Sequence, residues 1–163
     1  MKPSPALSIQ KNMKATLKGR KIGLLFADGS DGAQIEQLTS KVKKAGGSVF
    51  LIAPKINGTK LANGKVLKAD GQLAGSPSQL FDAVALVLSD KGAASLTKDG
   101  AAIQFVMDAF GHLKAIGHTP AAQPLLGKAG VEPDAGITGL GADFLQAAVQ
   151  RFWDREASVR TLA

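Results

Sequence analysis

The chain has 163 residues, 45% hydrophobic and 20% charged, the size and composition of one globular domain. It has no Cys and no Tyr, which excludes a disulfide, a thiolate nucleophile and a tyrosinate ligand to haem. No apolar run approaches the ~20 residues of a membrane-spanning helix, so we expect no membrane partner. The formal charge of +7 is concentrated at the N-terminus, since no acidic residue precedes Asp28.

Residues 1–19 are predicted to be a basic interdomain linker, followed by a folded domain over residues 20–163. Pro3 and Pro5 interrupt this stretch, and its apolar residues follow no sustained periodicity. A basic arm could bind nucleic acid, but this one has no arginine cluster and no aromatic side chain for base stacking. We therefore expect no nucleic-acid partner.

The first part of the domain has the pattern of a β–α–β unit. The apolar run 21–27 predicts a buried parallel strand. Apolar residues at helical spacing follow it, and Gly46 and Gly47 are suited to ending that helix. The run 48–53 predicts a second buried strand, so the crossover should be right-handed.

An insertion with tight-turn signals follows. Asn57-Gly58 and Asn63-Gly64 favour turns, and residues 65–67 form a short strand after the second, which predicts a small β-hairpin. Residues 74–78 read as a loop. The run 81–88 is the strongest strand signal in the chain.

The remaining segments continue the alternation of strands and helices. A helix passes through Ile103 and Phe110 and stops near Gly111, a strand covers 113–117, and a second helix begins near Pro120. Residues 130–136 read as a loop. One amphipathic helix is predicted from Gly141 to Ala157, before an irregular tail over 158–163. The fold class is therefore α/β, a doubly wound, mostly parallel, flavodoxin-like sheet with a small β-hairpin insertion.

Ligands of such sheets bind at the carboxyl ends of the strands, where the segments 28–32, 87–91 and 117–120 converge. Asp28 and Asp31 precede a helix, so the helix N-terminus already has anionic groups and a phosphate ligand is disfavoured. Either acid could cap the helix or act in a site.

Two kinds of functional site, a response-regulator site and a serine-hydrolase site, can be compared with these residues. A response regulator would need an acidic pair after the first strand, and Lys114 begins its strand instead of ending it, so Asp28 and Asp90 fit poorly. A serine hydrolase would need a nucleophile at the strand-to-helix turn, where Gly117 cannot act and Thr119 lies past the turn. His118 could be a general base, although a single histidine at such a turn is more often a capping or packing residue.

The run Ala115-Ile116-Gly117-His118-Thr119-Pro120 resembles the Ala-Ile-Cys-His-Gly-Pro pattern of the PfpI-like branch of the class I glutamine amidotransferase-like superfamily. The resemblance covers about residues 20–155. It implies a degenerate catalytic site: Gly117 replaces the nucleophile, His118 keeps the next histidine, Asp31 stands near the acid, and Val87-Leu88-Ser89 replaces the oxyanion-hole loop. The chemistry of that branch is therefore not expected.

Three further segments resemble the C-terminal domain of large-subunit catalases: residues 3–8 followed by 17–23, and residues 107–114. This resemblance implies a non-catalytic domain without a cofactor of its own, whose parent decomposes hydrogen peroxide to water and oxygen with haem in another domain. The implied partners are the haem domain and the parent's homotetramer. The implied roles are stabilising the parent and its assembly, and holdase-like binding of unfolding client proteins; a residual PfpI-like hydrolase or glyoxalase is the alternative.

Overall fold

A computed structural model describes residues 4–159 and contains a six-stranded sheet in the order β5-β2-β1-β6-β7-β8. All five strand pairs in this sheet are parallel. The strands are β1 (Lys21–Phe26), β2 (Ser48–Ala53), β5 (Gly71–Gln72), β6 (Ala83–Val87), β7 (Ile116–His118) and β8 (Ile137–Gly139). The predicted fold class, a flavodoxin-like α/β sheet, is confirmed.

Helices cover both faces of this sheet, because its central strands are apolar on both sides. Ile22 and Leu24 face one hydrophobic core, and Leu25 faces the other. The first core also holds α2 (Gly32–Lys44) and α6 (Ala142–Ala147). The second holds α3 (Asp90–Leu96), α4 (Gly100–Gly111) and α5 (Gln123–Lys128). None of the helices in residues 4–159 is long and apolar enough to span a bilayer.

The predicted hairpin is confirmed as β3 (Thr59–Lys60) paired antiparallel with β4 (Val66–Leu67). The loop after β1 holds it in place, since Gly29 N donates to Lys60 O at 2.8 Å and Ala62 N donates to Ser30 O at 3.0 Å. The hairpin therefore covers the carboxyl end of β1, next to the first turn of α2.

The strand predicted over 113–117 is displaced, since β7 begins at Ile116 and includes His118. Leu113 adopts a left-handed conformation with φ 59°, which ends the preceding turn. Lys114 is buried, and its ammonium donates to Ser78 O and Phe81 O at 2.7 and 2.6 Å. The apolar pattern did not reveal that the first residues of this run form a turn.

The single helix predicted from Gly141 to Ala157 is wrong. Helix α6 ends at Ala147, a 3-10 turn covers Trp153–Arg155, and α7 spans Glu156–Val159. The chain leaves the helix because Phe152 N donates to Leu113 O and Arg155 turns inward to Asp134. Ser158 and Val159 are helical, whereas the rest of the predicted irregular tail, 160–163, lies outside the described residues.

The sequence pattern indicated no element at the positions of β5, β8 or α3. Strands β5 and β8 have two and three residues and form the two edges of the sheet, too short for a period to show. Helix α3 is capped by Ser89, whose side chain accepts from Gly92 N.

Residues 4–19 contain a 3-10 turn at Pro5–Leu7 and helix α1 (Ile9–Asn12). Leu17 is buried in the core under α2. Arg20 binds the backbone before it, donating to Thr16 O at 2.8 Å and Lys14 O at 3.1 Å. The last residues of this segment are therefore anchored to the domain.

Candidate functional site

The carboxyl ends of β1 and β6 meet where the strand order reverses, the place where doubly wound sheets bind ligands. Ser30 closes this crevice. It is fully buried, and its Oγ donates to Val87 O at 2.6 Å and accepts from Ala27 N at 2.9 Å. Sequence analysis did not single out Ser30, because a serine between Asp and Gly residues has the appearance of an ordinary turn residue.

Ser89 joins the same two loops. Its Oγ donates to Asp28 O at 2.6 Å and accepts from Gly92 N at 3.0 Å, so both functions of the hydroxyl are engaged. A Cβ on Gly29 would lie 2.8 Å from that oxygen. Ser89 is thus a helix cap and a tie between the two loops.

The two acids that follow β1 both have structural partners. Asp31 is the N-cap of α2 and accepts from Ala33 N at 2.8 Å and from Gln34 N at 3.4 Å. The Asp28 carboxylate accepts a hydrogen bond from the Thr59 hydroxyl and lies 3.7 Å from the Lys91 ammonium. The Thr59 hydrogen bond and the Lys91 charge hold the pKa of Asp28 below its ordinary value, so this acid is an anchor for the hairpin.

Gly117 lies inside β7, and the ring of Phe144 fills the space where a side chain would project. A Cβ built on Gly117 would be 2.5 Å from Phe144 Cδ2 and 2.7 Å from Cγ. Gly117 is not among the residues with positive φ, so its backbone lacks the strained turn that presents a nucleophile. The glycine is required for space, because any side chain at residue 117 would overlap the Phe144 ring.

Thr119 accepts a hydrogen bond from Leu88 N, the backbone N–H group that an oxyanion would need at this position. Its hydroxyl accepts from Leu88 N at 3.0 Å and donates to Leu88 O at 2.8 Å, while Thr119 N donates to Leu86 O at 2.9 Å. An oxyanion hole requires free, preorganised N–H groups. The 87–89 segment does not offer Leu88 N as one.

His118 ends β7 and is half-buried, with Nδ1 2.9 Å from Thr119 O. It borders a cleft of about 370 Å³ that Gln34, Gln37 and Lys41 of α2 also line. The cleft lined by His118 does not include Asp31 or Ser89. Among the described residues, no hydrogen bond or ion pair joins Asp31, Ser89 and His118 to one another, so the structure does not assemble them into a catalytic group.

The family of C-terminal domains found in long catalases has a model that matches residues 18–157. The chain belongs to this family. Catalase C of Rhizobium meliloti is 42% identical to this catalase C-terminal domain over 97% of the chain, and Catalase HPII of Pseudomonas aeruginosa is 31% identical over 99%. The chain spans 24% of the length of each of these two relatives.

The fold of the catalase C-terminal domain is also found in a cysteine-to-alanine mutant of a DJ-1 superfamily protein from Salmonella typhimurium. The two structures agree with a TM-score of 0.67 at 23% identity, over 88% of this chain and 96% of the other. At this identity the likeness concerns the fold alone.

Haem is the group that catalases imply, and the residues present do not fit it. Catalases hold haem iron by a tyrosine, and the chain has no Tyr and no Cys. Residues 4–159 contain no group of three or more His, Cys, Asp or Glu side chains that could hold a metal ion. The chain therefore lacks the residue type that holds haem iron in catalases.

Proposed function

We propose that this chain is a non-catalytic domain of a long catalase that stabilises the parent enzyme and its tetrameric assembly. The parent would decompose hydrogen peroxide in a haem domain outside this chain, since the curated relatives are catalases about four times as long. One observation carries the non-catalytic role: Phe144 fills the side-chain space at Gly117. A residual hydrolase or glyoxalase would need both a nucleophile and a free Leu88 N there.

The anchored segment before β1 supports a stabilising role. Leu17 is buried, and Arg20 binds the carbonyls of residues 14 and 16 while lying 3.6 Å from the Asp82 carboxylate. A connection fixed to the domain at its end would restrict how the domain moves relative to whatever precedes it. Ordering that connection would then favour one arrangement of the parent.

The test uses the full-length long catalase with and without the segment matching residues 18–157. We expect the deletion to shorten the half-life of activity on heating and to reduce the tetramer fraction, with the rate per haem unchanged. Arg20→Ala, which loosens the connection, should shift heat resistance in the same direction, with Lys11→Ala as the control in the same segment. Unchanged heat inactivation and assembly in the deletion would overturn the proposal.

A holdase-like activity is a second candidate, supported by large apolar side chains that are exposed: Leu7, Ile9, Ile56, Val66, Leu80 and Met107. Such side chains can bind unfolding proteins. The measurement is light scattering from an unrelated heat-stressed enzyme, with an inert protein at equal mass as the control. Suppression at near-stoichiometric ratios would support client binding, and scattering equal to the control would exclude it.

A further inference from the structure

A groove of about 600 Å³ separates α2 from the β3–β4 hairpin. Apolar side chains form its floor: Ile35 and Leu61 are 3% and 8% exposed, and Leu51 and Leu67 are half-buried. Val66 stands at the rim with 67% of its surface exposed. This volume lies within the range of pockets that hold ligands.

The hairpin wall of the groove is held by internal hydrogen bonds. Leu61 N donates to Lys65 O at 2.8 Å, Gly64 N donates to Leu61 O at 2.9 Å, and Ala62 N donates to Ser30 O at 3.0 Å. The last bond ties the wall to the loop between β1 and α2. The groove is therefore preformed, which lowers the entropy lost when a partner binds.

Lysines outnumber acids in the segments that form this groove. Residues 33–68 contain one acid, Glu36, and seven exposed lysines: Lys41, Lys43, Lys44, Lys55, Lys60, Lys65 and Lys68. The four ion pairs found in residues 4–159 involve none of these lysines. Lys43 and Lys44 line the helix wall together with Glu36, and Lys65 lines the hairpin wall.

We propose that this groove docks an acidic, amphipathic polypeptide segment of a second protein. Cations on both walls complement several carboxylates spaced along one segment. Aliphatic side chains of the segment fill the apolar floor between Ile35 and Leu67. This inference does not rest on the proposed role in a catalase.

Other occupants match the groove less well. The lining has no aromatic and no arginine, the side chains that stack on bases and form bidentate contacts with them, which disfavours nucleic acid. Its apolar floor is recessed, which disfavours a flat anionic membrane. A second copy of the chain would bring a second lysine-rich face against the first if the two grooves met.

Fluorescence anisotropy with a labelled peptide of Glu and Leu at amphipathic helical spacing tests the proposal on the whole chain. We expect saturable binding that weakens as salt rises, because the rim charges are exposed. The same peptide with every Glu changed to Lys should not bind. Failure of the acidic peptide to bind, or equal binding of both peptides, would overturn the proposal.

Matched variants locate the site. The double variant Lys43→Glu/Lys65→Glu should weaken peptide binding at least about tenfold, since it reverses one cation on each wall. The control Lys98→Glu/Lys128→Glu makes the same charge change at exposed lysines beside α3 and at the end of α5, on the opposite face of the sheet, and should bind as the unaltered chain does. Equal losses in the two double variants would overturn the site.

The apolar part of the groove has its own pair of variants. Val66→Ser at the rim should weaken binding, whereas Ile56→Ser, also exposed but outside the groove, should not. The proposal also fails if the acidic peptide is displaced by single-stranded RNA or anionic lipid vesicles bound more tightly at the same lysines. It fails equally if sedimentation shows that Val66→Ser disrupts a dimer of the chain.

Discussion

Phe144 packs directly against Gly117, and this contact determines which side chains residue 117 can have. The ring of Phe144 is fully buried and contacts the position where any β-carbon of residue 117 would lie. A nucleophile could be restored there only by moving the ring. The absence of a side chain at residue 117 is therefore built into the packing of α6 on the sheet.

Restoring the nucleophile alone is expected to cost stability without creating activity. Gly117→Cys should lower the free energy of unfolding by about 1–3 kcal/mol, because it overpacks a filled core. Urea unfolding measures this, and a glyoxalase or peptidase assay should show no turnover, because Leu88 N remains bonded to Thr119. Phe144→Ala alone is the control for damage to the core, and turnover by Gly117→Cys would contradict this account.

Lys114 is a buried cation at the amino end of β7. Its ammonium donates to two backbone carbonyls, and burial, with the nearby Arg151 charge, lowers its pKa to about 8. Asp82 and Asp108 act in the opposite direction. Between pH 8 and 10.5 the unfolded chain therefore binds a proton that the folded chain has released, so stability should rise with pH in that window.

The direction in which stability changes with pH can be measured. The free energy of unfolding of the chain should rise by about 2 kcal/mol between about pH 7 and 9.5 from Lys114 alone. Lys114→Met should lack this increment, and the exposed Lys98→Met should retain it. Urea unfolding at several pH values compares the three, and identical pH dependence in the chain and in Lys114→Met would contradict the assignment.

At the scale of elements, the segment after α6 is held by a buried arginine. Arg155 is 5% exposed, pairs with the Asp134 carboxylate through two nitrogens, and donates to Lys114 O at 2.7 Å. Its guanidinium lies 4.4 Å from the Phe110 ring centroid and 5.0 Å from that of Phe152. Because of these contacts the chain does not continue as one long helix, and the segment after α6 is attached to the loop before β8.

Removing the acid should release this segment. Asp134→Asn is expected to destabilise the chain by about 2–3 kcal/mol, somewhat less than for a fully buried pair, because Asp134 is partly exposed. Burial alone would raise the pKa of Asp134, but hydrogen bonds from Arg155 and Gly136 N lower it below the ordinary value of 3.8. The ionised Asp134 therefore stabilises the fold above pH 3.8, and this stabilisation is lost as the pH falls further. Thermal unfolding at neutral and acidic pH, with the exposed Asp154→Asn as control, measures this; equal effects of both variants would refute it.

At the scale of the whole molecule, the chain concentrates positive charge in two segments but has no tyrosine to bind haem iron. Twelve of the 16 lysines lie in residues 1–27 and 33–68, whereas no residue type present can supply the tyrosinate that holds catalase haem. The chain is therefore rich in lysine and lacks the tyrosine that holds haem iron in catalases.

Haemin titration tests whether the chain binds haem. The chain mixed with haemin should give no saturable one-to-one shift of the haem absorption band and should not release oxygen from hydrogen peroxide above free haemin. The intact long catalase is the positive control. A stoichiometric haem complex with peroxide turnover would show that the chain supplies an iron ligand of another type.

The sequence by itself determined the β–α–β unit and the hairpin, because apolar runs and Asn-Gly turns are local properties. It did not reveal β5 and β8, whose two or three residues are strands only because a neighbour pairs with them. Tertiary structure alone decided that Ser30 and Thr119 close the crevice, since their partners lie 57 and 31 residues away. It also decided where the last helix ends, because Arg155 gains its partner Asp134 only when the chain folds back on the sheet.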